Sequence, residues 1–264
     1  MKKSLLYGLI LSLFFIACSK VPITNRRQLN LLPESQMMSM SYAQYDEFLA
    51  QNAVVSESNV QAKSIKEIGN KMAAAVNQFL GDQGNLKRVK GYEWDFNLVQ
   101  DDQVNAWCMP GGKVVFYTGI LPVCQDDNGI AVVMSHETAH AIARHGNERM
   151  SQQMAIQMGG MSVASAMQEK PEALQTIFNQ AYGLGSTLGA LKFSRKQESE
   201  ADKMGLVFMA MAGYNPESAI SFWERMSQLG GQKPPEMMST HPSDERRIAD
   251  LKAYLPEAMK YFKQ

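Results

Sequence analysis

The segment His136-Glu137-Thr138-Ala139-His140 constrains this chain more than any other. It sits among Ala131, Val132, Val133 and Ile142, so the surrounding stretch reads as an apolar helix rather than a solvated one. Two histidines four apart lie on one helical face about one turn apart, and both imidazoles can reach a single cation. Imidazole nitrogen suits zinc, and a catalytic zinc site takes three protein ligands while leaving a position for water. Glu137 falls beside that position, where a carboxylate can take a proton from the water and later return it to a leaving amine. Two surface histidines on a solvated helix would be the alternative, but a buried, unpaired His-Glu-His set would be costly.

A third ligand has to come from elsewhere. His145 lies nine positions beyond His136, on roughly the opposite side of a continuous helix with about 3.6 residues per turn, so a structural role near the helix C-terminus is expected. Glu198-Ser199-Glu200-Ala201-Asp202 offers better candidates, since Glu198 and Asp202 share a helical face and one can bind metal while the other orients an imidazole. Taken alone, such an acidic run is an ordinary solvated first turn.

The rest of the 264 residues, 45% of them apolar, is long enough for one sizeable core. Lys plus Arg and Asp plus Glu are 26 each, which leaves no basic stripe for a phosphate backbone and argues against nucleic acid as a partner. Periodicity predicts helices over 34–49, 58–80, 126–145, 194–211, 216–229 and 243–254, and a Met-rich helical hairpin over 150–191. Alternation predicts a half-buried strand over 92–99, and Pro110-Gly111-Gly112 a tight hairpin between extended runs at 104–108 and 114–117. The fold class expected is α+β, mainly α.

Lys2, Lys3 and the apolar run from Leu5 to Ala17 read as a signal peptide, too short to span a bilayer, which takes about 20 apolar residues. Phe15-Ile16-Ala17-Cys18 resembles the bacterial lipobox, although that pattern prefers leucine where Phe15 stands. The division expected is therefore 1–17 lipoprotein signal peptide, 18–33 tether lipidated at Cys18, and 34–264 peptidase domain. Ser19 after the lipidated cysteine favours the outer membrane, facing the periplasm. Cys108 and Cys124 would then share an oxidising compartment, which permits a disulfide without demanding one.

The motif helix followed by the Glu198-x-x-x-Asp202 helix resembles the gluzincin peptidases. The chain is most similar to the family that includes the CAAX prenyl protease, HtpX and the periplasmic beta-barrel assembly-enhancing protease. Asn105-Ala106-Trp107, Pro110-Gly111-Gly112, Tyr117-Thr118-Gly119, Thr240-His241-Pro242 and Arg247-Ile248 match that family's further segments, so the resemblance covers about residues 34–255. It implies a zincin-like domain with one small sheet, and one zinc per chain held by His136, His140 and Glu198. Glu137 would be the general base and Asp202 would orient a histidine. His241 would plug the metal at rest or stabilise the oxyanion, with Arg247 supporting that region. Asn105, Ala106 and Trp107 would pair with an extended substrate by strand addition. The transmembrane segments of the first two relatives and the helical repeats of the third are not seen in the sequence. The activity implied is endopeptidase cleavage of unfolded or misassembled envelope proteins, with outer-membrane assembly machinery as a further partner. Two other readings stay open: an assembly chaperone with a structural or latent zinc, His241 being the fourth ligand, and a hydrolase of cell-wall peptides.

Overall fold

The computed structural model describes residues 18–157, 165, 168–182, 193–229 and 245–263. Two strands, β1 (Cys18–Lys20) and β2 (Arg27–Leu29), form an antiparallel ribbon with Ser19 opposite Gln28. Helices α1 (Glu34–Gln51) and α2 (Val60–Asp82) follow, then β3 (Asp95–Val99), β4 (Ala106–Met109) and β5 (Lys113–Tyr117). The remaining helices are α3 (Leu121–Cys124), α4 (Asp127–Ala143), α5 (His145–Gln157), α6 (Pro171–Tyr182), α7 (Arg195–Met211), α8 (Ser218–Gln228) and α9 (Glu245–Ala258). No helix among the described residues is long and apolar enough to cross a membrane.

The three-stranded sheet has the order β3-β5-β4, with β5 parallel to β3 and antiparallel to β4. The central strand is buried on both faces, and the period of two along each strand divides the core. Phe96, Leu98, Val114, Phe116, Ala106 and Cys108 join the larger cluster with the apolar stripe of α2, namely Ile65, Ile68, Met72 and Val76. Val115, Tyr117, Trp107, Met109 and Val99 turn the other way, toward Met37 and Tyr45 of α1 and Leu174, Ile177 and Phe178 of α6. The sheet is thus a layer between two helical layers, with α4 on the first side against α2 and β4. The turn from β4 to β5 passes through Gly111 and Gly112 at φ +85° and +84°, a region where a side chain is strained. Tyr42 and Trp94 also fill the space that a Cβ at these two positions would need.

Three expectations from the sequence are corrected by the structure. The chain has a second, two-stranded sheet in addition to the one expected. Residues 18–33, read as a tether, are folded onto the domain: Val21 is fully buried, Gln28 Nε2 donates to the Ala143 carbonyl at the end of α4 (2.7 Å), and Asn147 Nδ2 donates to the Leu32 carbonyl (2.9 Å). Hydropathy missed this because the segment is held by polar side chains meeting backbone carbonyls, which leave no periodicity. The long helix expected over 126–145 ends at Ala143, where Arg144 takes the left-handed conformation (φ 62°, ψ 33°), and α5 starts at once in a new direction. The disulfide that the sequence left open is not formed: Cys108 and Cys124 are separate buried thiols. The helical hairpin expected over 150–191 is described only in α5 and α6.

Candidate metal centre

Helix α4 carries the two histidines through the middle of the protein. Asp126 caps its start by accepting from Gly129 N–H at 2.8 Å, and every residue from Gly129 to Ala143 is buried. Its most extensive packing is against α7. The two helices come so close that a Cβ on Gly205 would stand 3.3 Å from the His136 backbone nitrogen and from Ser135 Oγ. Asp202 and Glu198, one and two turns earlier on α7, are thereby brought onto the histidines. Gly205→Val is expected to force the pair apart and cost about 1–3 kcal/mol, read in denaturant unfolding; an unchanged midpoint would show that the contact is not tight.

His136 Nε2 and His140 Nε2 are 3.1 Å apart; Glu198 Oε2 is 3.5 Å from the first and Glu198 Oε1 3.4 Å from the second. All three side chains are buried, and one donor atom from each lies within 4.8 Å of the others. Ligands bound at about 2.0–2.2 Å in a tetrahedron are roughly 3.3–3.5 Å apart, so this donor set fits a zinc-sized ion. Behind the ring of His136, Nδ1 faces Asp202 Oδ1 at 3.0 Å, which directs the Nε2 lone pair toward Glu198. Burial and the Arg247 charge push the His136 imidazolium down, yet Asp202 and Glu198 outweigh both and raise it to about 9. Surroundings that favour a cation on this ring also favour a divalent ion in its place.

Residues 59–255 match the family model described as Peptidase family M48. The chain belongs to that family. It is 32% identical to the mitochondrial metalloendopeptidase OMA1 of Schizosaccharomyces pombe over 254 residues, which cover 93% of this chain and 68% of that one. The human mitochondrial metalloendopeptidase OMA1 is 28% identical, with 96% of this chain and 49% of the relative covered. A putative beta-barrel assembly-enhancing protease of Vibrio cholerae is 30% identical, with 78% and 41% covered. Members of the M48 family are zinc-dependent metallopeptidases, and the chain is a hydrolase of peptide bonds. The expected location on the periplasmic face of the bacterial outer membrane is overturned by these matches, since the relatives aligned over more than nine-tenths of the chain are mitochondrial. The apolar leader, the run Phe15-Ile16-Ala17-Cys18 and Ser19 are short local signals, and signals of that length do not name a compartment.

Other M48 positions named from the sequence fall as follows. Glu137 is buried on α4, near enough to β4 that its charge adds to burial in raising the Cys108 thiol. Arg247, expected to support the segment around His241, clamps the acidic pair: Nε and Nη2 donate to Asp202 at 2.9 and 2.7 Å, and Nη1 stands 3.0 Å from Glu198. Burial alone would raise the Asp202 carboxyl, but Arg247 and His136 hold it below its ordinary value. His241 lies outside the described residues. Asn105 precedes β4, which pairs among the described residues with β5 alone and so leaves a sheet edge. Ala106 is buried, and the Trp107 indole is in the core against Tyr45 and Phe48, donating to Tyr117 OH at 3.2 Å. The Trp107 side chain is therefore part of the core.

Two residues escaped the sequence reading. His145, placed on the far side of a continuous helix, is returned to the centre by the break at Arg144: its Nδ1 is 2.9 Å from His140 Nδ1 and its Nε2 is 3.0 Å from Glu200 Oε2. Burial pushes the His145 imidazolium down despite Glu200, which favours the neutral ring. Glu200 is opposed by burial but stabilised as a carboxylate by His145, Arg26 and Thr24, which bring it to about 2. A signal for the break exists in Arg144-His145-Gly146, but a glycine two residues later marks the end only to within a residue or two.

Proposed function

We propose that the chain is a zinc-dependent endopeptidase acting on unfolded or misassembled proteins, with one zinc held by His136, His140 and Glu198. The observation that carries this reading is the convergence of those three buried donors, two from α4 beside Glu137 and one from α7. Zinc bound there would lower the pKa of its water and polarise a peptide carbonyl. Glu137 takes the proton of the attacking water and gives it to the departing amide nitrogen, which releases the new amine neutral. Asp202 keeps the His136 proton on Nδ1, and Arg247 neutralises part of the charge that Glu198 and Asp202 concentrate in a buried place. The edge of β4 supplies backbone hydrogen bonds to an extended peptide, a mode that tolerates many sequences and requires the substrate to be unfolded. The names of the relatives, metalloendopeptidases and an assembly-enhancing protease, support the same class.

The test is metal removal. Chelation is expected to reduce casein cleavage by more than about a hundredfold, and one equivalent of zinc per chain to restore it. Full activity in protein shown to be free of metal would end this reading.

A further inference from the structure

We propose that Arg26 is a positioning residue of the metal centre, aiming His140 through a relay of Glu200 and His145. This rests on the assignment of His140 as a ligand. Arg26 stands in the turn between β1 and β2, where Val21 N–H donates to the Arg26 carbonyl at 2.9 Å. Its guanidinium meets two buried carboxylates at once. Nη1 and Nη2 donate to Glu148 at 2.6 and 2.7 Å, while Nε and Nη2 donate to Glu200 at 2.8 and 2.9 Å. Thr24 Oγ1 adds a further bond to Glu200 at 2.8 Å.

The consequence follows from counting protons. An ionised Glu200 only accepts, so His145 Nε2 must carry the hydrogen it shares with Glu200 Oε2. In the neutral His145 ring Nδ1 then presents a lone pair, and across the 2.9 Å contact His140 Nδ1 is the donor. His140 Nε2 is left with its lone pair toward Glu198 and His136, as a metal ligand requires. Glu148 extends the effect to the other helix, because its Oε2 also accepts from Gln197 Nε2 at 2.8 Å. Gln197 closes the capping box with Ser194 that starts α7 one residue before Glu198. A single arginine from the N-terminal ribbon thus braces two of the three donors without touching the ion.

The experiment measures zinc affinity by competition with a chromophoric chelator, together with the visible absorption of the cobalt-substituted protein. Partners behind a ligand are typically worth roughly 10–100-fold in metal affinity, and Arg26→Gln, one step further out, is expected to weaken zinc about tenfold and to shift the cobalt spectrum. In a Glu200→Gln background, where the relay to His140 is cut and the Glu148 contact is still present, the same change is expected to add a smaller loss, less than about threefold. Arg26→Lys keeps the charge but reaches one carboxylate at a time; it is expected to weaken zinc by a few-fold, and it carries the test if Arg26→Gln does not fold. Wild-type affinity and an unchanged spectrum in either folded variant would overturn the proposal, as would an equal loss in both backgrounds. Failure of the unmodified protein to bind zinc would instead overturn the assignment of the site.

Discussion

Glu137→Gln is expected to reduce casein cleavage by about 10²–10⁴-fold while leaving one zinc bound per chain. The substitution keeps the shape and removes the base: an amide oxygen accepts a hydrogen bond but cannot carry a proton away from water at neutral pH. His136, His140 and Glu198, whose donors lie 3.1–3.5 Å from one another, are untouched, so metal content is retained. Turnover and metal analysis on the same preparation separate the two effects. Unaltered cleavage by a zinc-loaded Glu137→Gln protein would remove Glu137 from the chemistry. Loss of the metal together with activity would show instead that this carboxylate holds the ion.

Trp223→Ala is expected to cost about 3–5 kcal/mol of stability and to weaken zinc binding as well. The indole is fully buried in α8 and does two things at once. One side meets the His136 ring edge-on at 5.5 Å between centroids, and the Arg247 guanidinium stacks over the ring at 3.4 Å. Truncation leaves a cavity under His136 and takes away the surface that holds Arg247 flat against Asp202 and Glu198. Trp223→Phe keeps a ring in place and should recover much of both losses. A stability change under about 1 kcal/mol for the alanine variant would mean that the surrounding helices collapse into the space, and that Arg247 is held by its carboxylates alone.

Local periodicity accounts for the elements that the order of residues makes legible. The helix of His136 and His140 is legible because four-residue spacing on one face is a property of the backbone, independent of what packs around it. Helices α1, α2, α7 and α9 and the β4–β5 hairpin are legible for similar reasons: caps, apolar stripes and a Pro-Gly-Gly turn all act within a few residues. His145 shows where such reasoning stops. Its expected position followed correctly from a continuous helix, but one left-handed residue at Arg144 redirected the chain and brought the ring beside His140. The 18–33 segment shows the same limit, since Gln28 and Arg26 are fixed by partners 115 and up to 174 residues away.

Sequence by itself determined that a helix presents two imidazoles and a carboxylate together, because that arrangement is closed within five residues. Tertiary structure alone decided what stands behind them. The approach of α7 at Gly205, the Arg247 clamp on Asp202 and Glu198, and the line from Arg26 through Glu200 and His145 to His140 all join distant segments. Buried charges are tolerated only when such partners meet them, and which partner arrives is settled by how the helices pack rather than by any local preference of the chain.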